Sequence, residues 1–232
     1  MRVPRIMLAA PASGSGKTLI TCGILQALVN RGFRTASFKC GPDYIDPMFH
    51  SRVIGVKSGN LDTFFTDRSA TRYLFGRRAA EAEISVVEGV MGYYDGLGGI
   101  SEEASSYDVA SALNIPVVLV VNCRGMSISV VPLIKGFLEY QNPSQIRGVI
   151  LNQMPKALSP DMKAQIERWL PVKVRGYVPK VEDLVLESRH LGLVLPGEIE
   201  SLKEKLNRLA EVLEESIDLD AFLAMAWEAP DF

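Results

Sequence analysis

Apolar residues come in short runs along this chain, and stretches with helical spacing separate the runs. Residues 5–10, 35–39, 84–88, 117–122, 148–152 and 174–178 read as strands. Several of these are apolar on consecutive positions rather than on alternate ones. A strand of that kind is covered on both faces, as in a parallel sheet between two helical layers. Helical patterns fall near 17–30, 67–80, 105–113, 127–140, 159–169 and 199–216. Ser105 followed by Asp108 predicts a side-chain-capped start, and Ser159-Pro160 puts proline at a first helical position. Residues 218–232 predict a terminal helix with a proline-containing exit. Strands that alternate with helices predict an α/β fold, doubly wound, with a mainly parallel sheet flanked by helices. Ligands of such folds sit past the carboxyl ends of the strands. There is no internal repeat and no low-complexity segment.

The composition agrees with one large globular unit. Of 232 residues, 47% are hydrophobic and 22% charged, which excludes a disordered or fibrous chain. The net charge of −2 hides an asymmetry. Residues 1–197 carry 22 basic against 17 acidic side chains, a net +5, whereas residues 198–232 carry 3 against 10, a net −7. We therefore expect a main domain over 1–197 and an acidic helical segment or connector over 198–232. The basic body suits an anion ligand, but no cluster of Lys/Arg with interleaved aromatics points to nucleic acid. Cys22, Cys40 and Cys123 stand far apart and there are only two histidines, so neither a zinc site nor a disulfide framework is expected. A reducing cytosol is the natural compartment. The apolar run 116–121 is far shorter than a membrane span, and the one at 6–10 is too short for a secretory signal. The expectation is a cytoplasmic protein without membrane or nucleic-acid partners, with a homodimer possible.

The first strand runs into Ala9-Ala10-Pro11-Ala12-Ser13-Gly14-Ser15-Gly16-Lys17-Thr18, and a helix follows. Gly16-Lys17-Thr18 is the end of a P-loop, which makes the expected sheet one of P-loop NTPase type. Loop amides and the helix N-terminus face phosphates. Ser13, Gly14, Ser15 and Gly16 would line the loop, Lys17 would reach the outer phosphates, and the Thr18 hydroxyl would ligate Mg²⁺. ATP and Mg²⁺ are the cofactors implied. The usual first glycine is missing, and Pro11 stands at its spacing. Position 12 is Ala, where a partitioning-type ATPase carries lysine.

Two carboxylate segments follow the second and third of these runs. The first is Lys39-Cys40-Gly41-Pro42-Asp43-Tyr44-Ile45-Asp46-Pro47. Its lysine, aromatic and paired aspartates, with His50 just beyond in Met48-Phe49-His50, can hold Mg²⁺ and a substrate carboxylate beside a γ-phosphate. The plain alternative is a Pro-Asp turn with solvated charges. The second is Glu88-Gly89-Val90-Met91-Gly92-Tyr93-Tyr94-Asp95-Gly96. Glu88 directly ends a buried strand, where a carboxylate aims at the nucleotide crevice and can ligate the metal. Asn152, at the end of another strand, is a candidate for adenine recognition or a simple turn cap. Arg189-His190 pairs a fork-shaped donor with an imidazole and could hold a carboxylate.

Taken together, these segments resemble the amidotransferase family that makes cobyrinic acid a,c-diamide. The resemblance is carried by 39–47, Asn60-Leu61-Asp62, Glu88-Gly89-Val90-Met91-Gly92, Asp95-Gly96 and Arg189-His190-Leu191-Gly192-Leu193, and runs to about Glu198. The ATP-binding half of that family is similar to dethiobiotin synthetase. Both have a phosphate loop one residue longer than the common one, with Gly where this chain has Ala10. The resemblance implies ATP-dependent amidation of two side-chain carboxylates of a tetrapyrrole polycarboxylate through acyl phosphates. Carried over, Lys17 and Thr18 serve nucleotide and metal. Asp46 and Glu88 are metal ligands, and Lys39 neutralises the transferring phosphoryl group. Asp43, Tyr44 and Asp95 orient substrate or intermediate. Family members also carry a glutaminase domain with a Cys nucleophile. No Gly-x-Cys-x-Gly turn occurs here, so nitrogen is expected from glutamine through a glutaminase outside this chain, or from free ammonia.

Four alternatives remain at this level. The same chemistry on nickel sirohydrochlorin or on hydrogenobyrinic acid would use the same motifs, and cobyric acid synthase is a further relative. Dethiobiotin synthetase itself fits the length, but the Asp43-Tyr44-Ile45-Asp46 segment and 189–193 match the corrin enzyme better. A nucleotide-dependent regulatory switch is the reading from another class. The guanine-type Asn-Lys-x-Asp is absent, since the chain reads Asn152-Gln153-Met154-Pro155.

Overall fold

The computed structural model describes residues 3–181 and 199–232. Seven strands form one sheet: β1 Arg5–Ala9, β2 Thr35–Cys40, β3 Lys57–Leu61, β4 Ile84–Glu88, β5 Val117–Asn122, β6 Ile146–Asn152 and β7 Lys173–Val178. Their order is β3-β2-β4-β1-β5-β6-β7, and every neighbouring pair is parallel. The helices are α1 Lys17–Asn30, α2 Ile45–Phe49, α3 Arg68–Ala79, α4 Ser106–Leu113, α5 Val130–Glu139, α6 Ser159–Trp169, α7 Ile199–Ser216 and α8 Leu219–Trp227. A π-helical turn, His50–Ile54, continues α2. The doubly wound parallel architecture read from the apolar runs is therefore present. Five residues of β1 and five of β4 are all buried, as strands covered on both faces must be.

The two faces have separate cores. One gathers Ile6, Leu8 and Val86 with α1, α7 and α8. The other gathers Met7, Val87 and Leu119 with α3, α4, α5 and α6. The expected caps are found: Ser105 Oγ accepts from Asp108 N at 3.2 Å, and Pro160 lies in the first turn of α6, although Leu158 rather than Ser159 is the N-cap.

Six strands were expected and seven are present among the described residues. The additional one, β3, reads Lys57-Ser58-Gly59-Asn60-Leu61 and forms the sheet edge. An edge strand needs little apolar sequence, because one side faces solvent. The acidic segment folds as α7 and α8. Leu206, Leu209, Ala210 and Leu213 of α7 are buried against α1, and Arg31 bridges Glu214 and Asp220. Phe232 lies over Phe75 and under the guanidinium groups of Arg5 and Arg72. Among the described residues no helix is long and apolar enough to cross a membrane.

Candidate nucleotide and carboxylate site

The phosphate loop connects β1 to α1. Gly16 sits at φ 90° as the residue before the helix, a conformation that favours glycine. A Cβ there would also lie 2.2 Å from Asn152 Nδ2. Ser15 Oγ donates to Ala12 O at 2.8 Å and stiffens the loop. Ser13 and Gly14 are exposed at its tip. Asn152 donates from Nδ2 to Ser15 O at 2.9 Å and accepts at Oδ1 from Gln153 N at 3.0 Å. Its side chain thus braces the loop from the end of β6.

Lys17 is buried and donates to Met91 O at 2.5 Å. Burial lowers its pKa, with Glu88 opposing that shift and Lys39 adding to it. Met91 holds φ 47°, an uncommon conformation for a residue other than glycine. It turns the backbone after β4 back toward the lysine. Gly92 is required for packing here, since a Cβ would meet Pro11 O at 2.6 Å and Asp95 Oδ2 at 2.4 Å. Gly92 N donates to that same Asp95 Oδ2 at 2.9 Å, which ties Asp95 into the loop.

The carboxylates converge on one lysine. Lys39 and Glu88 are register partners across β2 and β4, so their side chains leave the sheet side by side. Lys39 Nζ lies 2.6 Å from Glu88 Oε1 and 2.6 Å from Asp46 Oδ2. All three groups are buried. Burial works against the charge of Lys39, but Glu88 and Asp46 together outweigh it and hold the pKa above that of an ordinary lysine. Thr18 Oγ1 donates to Glu88 Oε1 at 2.6 Å, which joins the phosphate loop to the cluster. Asp46 reaches the cluster from α2. That helix begins after an Asx turn in which Asp43 Oδ1 accepts from Ile45 N at 2.8 Å. Tyr44, at its N-cap, is 71% exposed and stands outside the buried cluster.

One atom is left over. Glu88 Oε2 is buried and has no hydrogen-bond partner among the described residues. An orphaned carboxylate oxygen is costly unless a cation or donor completes it. No group of three or more His, Cys, Asp or Glu suited to a metal occurs among the described residues. Mg²⁺ does not need one, because it commonly takes one or two carboxylates and completes its shell with phosphates and water. Thr18, Glu88 and Asp46 fit that donor set.

Lys17, Thr18, Lys39, Asp46 and Glu88 are thus drawn together at the carboxyl ends of β1, β2 and β4, with Asn152 bracing the loop from β6. Asp43 and Tyr44 instead lie in the loop before α2, and Asp95 is tied to Gly92 in the loop after β4. Arg189 and His190 lie outside the described residues. Sequence reasoning missed the role of Asn60, whose Nδ2 donates to Gly41 O at 2.9 Å and also to Asp43 O, fastening the aspartate loop to β3. The motif Asn60-Leu61-Asp62 was the available signal. His50, grouped with these residues in the sequence, does not join them: it is buried between Ser37 and Cys22 behind α2.

Fold and site define a P-loop nucleotide-binding domain. Its sequence narrows this further. The model of the AAA domain family matches residues 64–188, more than half of the chain, and the chain belongs to that family. It is 42% identical to the cobyrinate a,c-diamide synthase of Listeria monocytogenes serotype 4b over 224 residues, covering 96% of this chain and 50% of that protein. With the cobyrinate a,c-diamide synthase of Methanocaldococcus jannaschii it shares 37% over 231 residues, 98% of this chain and 52% of that protein. The kinship expected from the aspartate loop and the glycine motifs is borne out. The chain spans about half the length of the curated relatives it matches. Among solved structures it resembles the MinD cell division protein of Aquifex aeolicus, with TM-score 0.55 and 15% identity, covering 91% of this chain and 96% of that one. It also resembles chloroplast FtsY of Physcomitrella patens, with TM-score 0.57 and 15% identity, covering 89% and 66%. At such identities these two show the fold alone.

Proposed function

We propose that this chain is the ATP-dependent synthetase portion of a cobyrinate a,c-diamide synthase. The observation that carries the reading is the buried cluster in which Lys39 is held between Asp46 and Glu88, with Thr18 on the same Glu88 oxygen. A cluster of this kind at a P-loop suits phosphoryl transfer to a carboxylate, which is chiefly positioning and charge neutralisation. The substrate carboxylate oxygen attacks the γ-phosphorus of ATP and ADP leaves. Ammonia then adds to the acyl carbon of the acyl phosphate, the C–O bond to phosphate breaks, and the nitrogen loses a proton.

In this reading the loop amides of 13–16 hold the β- and γ-phosphates. Lys17 exchanges the Met91 carbonyl for a phosphate oxygen, and its lowered pKa marks a site that strips water from the charge. Lys39 neutralises the transferring group. Thr18, Asp46 and Glu88 would hold Mg²⁺, which would supply positive charge against the phosphates. Asp43, Asp95 and Tyr44 position the substrate at the mouth. Asn152 keeps the loop in shape, and its remaining amide hydrogen is the one available to the base. Nitrogen comes from glutamine through a glutaminase domain or partner chain, or from ammonia supplied directly. The buried, free thiols of Cys22, Cys40 and Cys123 support a cytosolic location.

The test is mass spectrometry after incubation with Mg-ATP and ammonium. The panel is cobyrinic acid, nickel sirohydrochlorin, and diaminopelargonic acid with bicarbonate. Two successive acid-to-amide changes on cobyrinic acid, with ADP formed, are expected. Cyclic urea from the diamine, or ATP turnover that no carboxylate stimulates, would overturn the assignment.

A further inference from the structure

A cavity of ≈ 520 Å³ lies at the β3 edge of the sheet, against the segment that carries Asp46. Arg52 from the π-helical turn and Arg77 and Arg78 from the end of α3 line it. No acidic residue among the described ones does. Among the described residues none of the three arginines forms a salt bridge, and only Arg78 has a hydrogen bond, from Nη1 to Ser58 O at 3.3 Å. Three guanidinium groups around one cavity without a carboxylate repel one another. Such an arrangement is suited to an anion from outside. Guanidinium forks match carboxylates bidentately.

The remaining walls limit the ligand further. Tyr44, Met48 and Leu74 give the cavity an apolar side, and Tyr44 and Leu74 are exposed. A ligand that fits both walls carries several anionic groups on a bulky apolar frame. Inorganic phosphate or a simple diacid would leave the apolar side wet.

The cavity is also joined to the site. Tyr44 and Met48 belong to the segment that delivers Asp46 to Lys39, and Asn60 both lines the cavity and fastens the Asp43 loop. A molecule in this cavity is thereby adjacent to the segment that reaches the phosphoryl-transfer cluster.

We propose that Arg52, Arg77 and Arg78 form a subsite for the non-reacting carboxylates of a polycarboxylate macrocycle, holding it while one side-chain carboxylate reaches Lys39 and the phosphate loop. This rests on the amidation reading above and names how its substrate is held. The arginines are positioning residues, so their loss should weaken the substrate and leave ATP alone.

Arg52→Gln and Arg77→Gln remove no hydrogen bond or ion pair seen among the described residues, and Arg78→Gln removes one. Binding of cobyrinic acid is measured by titration calorimetry on the full chain at two ionic strengths. Amidation kinetics with ammonium and binding of a fluorescent ATP analogue are measured in parallel. Each substitution is expected to raise Kd and KM for cobyrinic acid about tenfold, the size of one charge-assisted hydrogen bond. The salt dependence should weaken, with kcat, the ATP-analogue affinity and the melting temperature near wild type. Wild-type amidation with unchanged KM in all three variants would overturn the subsite and leave the amidation reading standing. Arginine-dependent binding without amidation by the wild type would sink the reading and keep the subsite. No binding of cobyrinic acid by the wild type would overturn the subsite as well.

Discussion

At the scale of single residues, Glu88 connects the nucleotide to the acid cluster. Its Oε1 accepts from both Thr18 and Lys39, and its Oε2 stands unpartnered among the described residues. Glu88→Gln keeps the shape and the strand but removes a charge. Lys39 retains Asp46, so no buried cation is left without a partner. We predict that this variant folds and melts close to wild type, while ATP-dependent amidation falls about 10²–10³-fold, the size of losing one preorganised electrostatic contact. Wild-type turnover would remove Glu88 from the site. His50 supplies a second test. It is held by Ser37 Oγ at 2.7 Å and Cys22 Sγ at 3.5 Å, and burial lowers its pKa to about 4. Asp46 and Asp43 push the other way, and Lys39 pushes with burial. The unfolded chain takes up this proton near pH 6.5, before the folded one does. Stability from this group is therefore complete above about pH 6.5 and is lost as pH falls toward 4, by roughly 3 kcal/mol in all. Denaturant melts from about pH 7 to about pH 4 should show that loss, and His50→Gln should flatten the curve in this window. A variant whose pH profile parallels wild type would contradict a neutral buried histidine.

At the scale of elements, legibility followed apolar content. The strands with consecutive apolar residues, such as Val117–Asn122, could be read directly, because burial on both faces demands that sequence. β3 could not, since Lys57, Ser58 and Asn60 carry no such signal and the strand is defined by its pairing with β2. The phosphate loop and Glu88 were legible because each follows a strand that was. The meeting of Lys39 with Glu88 was not, because it depends on the β2–β4 register, a property of pairing that no single segment encodes. Asn152 ends β6 beside the phosphate loop, and its side-chain bonds go to the backbone of Ser15 and Gln153. The seam between α1 and α7 makes a comparable demand on Gly23. A Cβ there would lie 2.5 Å from Leu213 Cδ1 and 2.8 Å from Leu209 Cγ. Leucine ends can shift for one methyl group but not for a branched side chain. Gly23→Val should cost about 1–3 kcal/mol through overpacking, read as a lower urea midpoint at unchanged slope. A midpoint equal to wild type would show that α7 moves freely over α1.

At the scale of the whole molecule, the question is whether the acidic segment is a separable connector or part of the body. Its charge suggested the first, since seven surplus negative charges over 198–232 look like a solvated face. Its apolar positions favour the second. Leu206, Leu209, Leu213, Leu219, Phe222 and Leu223 are all buried in the same core as Ile6, Leu8 and Ile24. The charges occupy the other side of α7, where Glu214 pairs with Arg31. Burial of such side chains contributes about 1.5–3 kcal/mol each, and the stability of a whole domain is only about 5–15 kcal/mol. Removing them uncovers the apolar side of α1 and of the sheet that they cover. The end of the chain adds a further tie, with Arg5 Nη2 donating to Pro230 O at 2.7 Å and Phe232 packed on Phe75 across the opposite core. A chain cut after residue 197 should therefore lose its cooperative thermal transition and bind ANS, while the chain of 232 residues melts in one step. If the shortened chain melted cooperatively and still bound an ATP analogue, α7 and α8 would be an appendage after all. The face of the sheet that α1 shares with them would then have to be stable in water without its cover, which its leucines argue against.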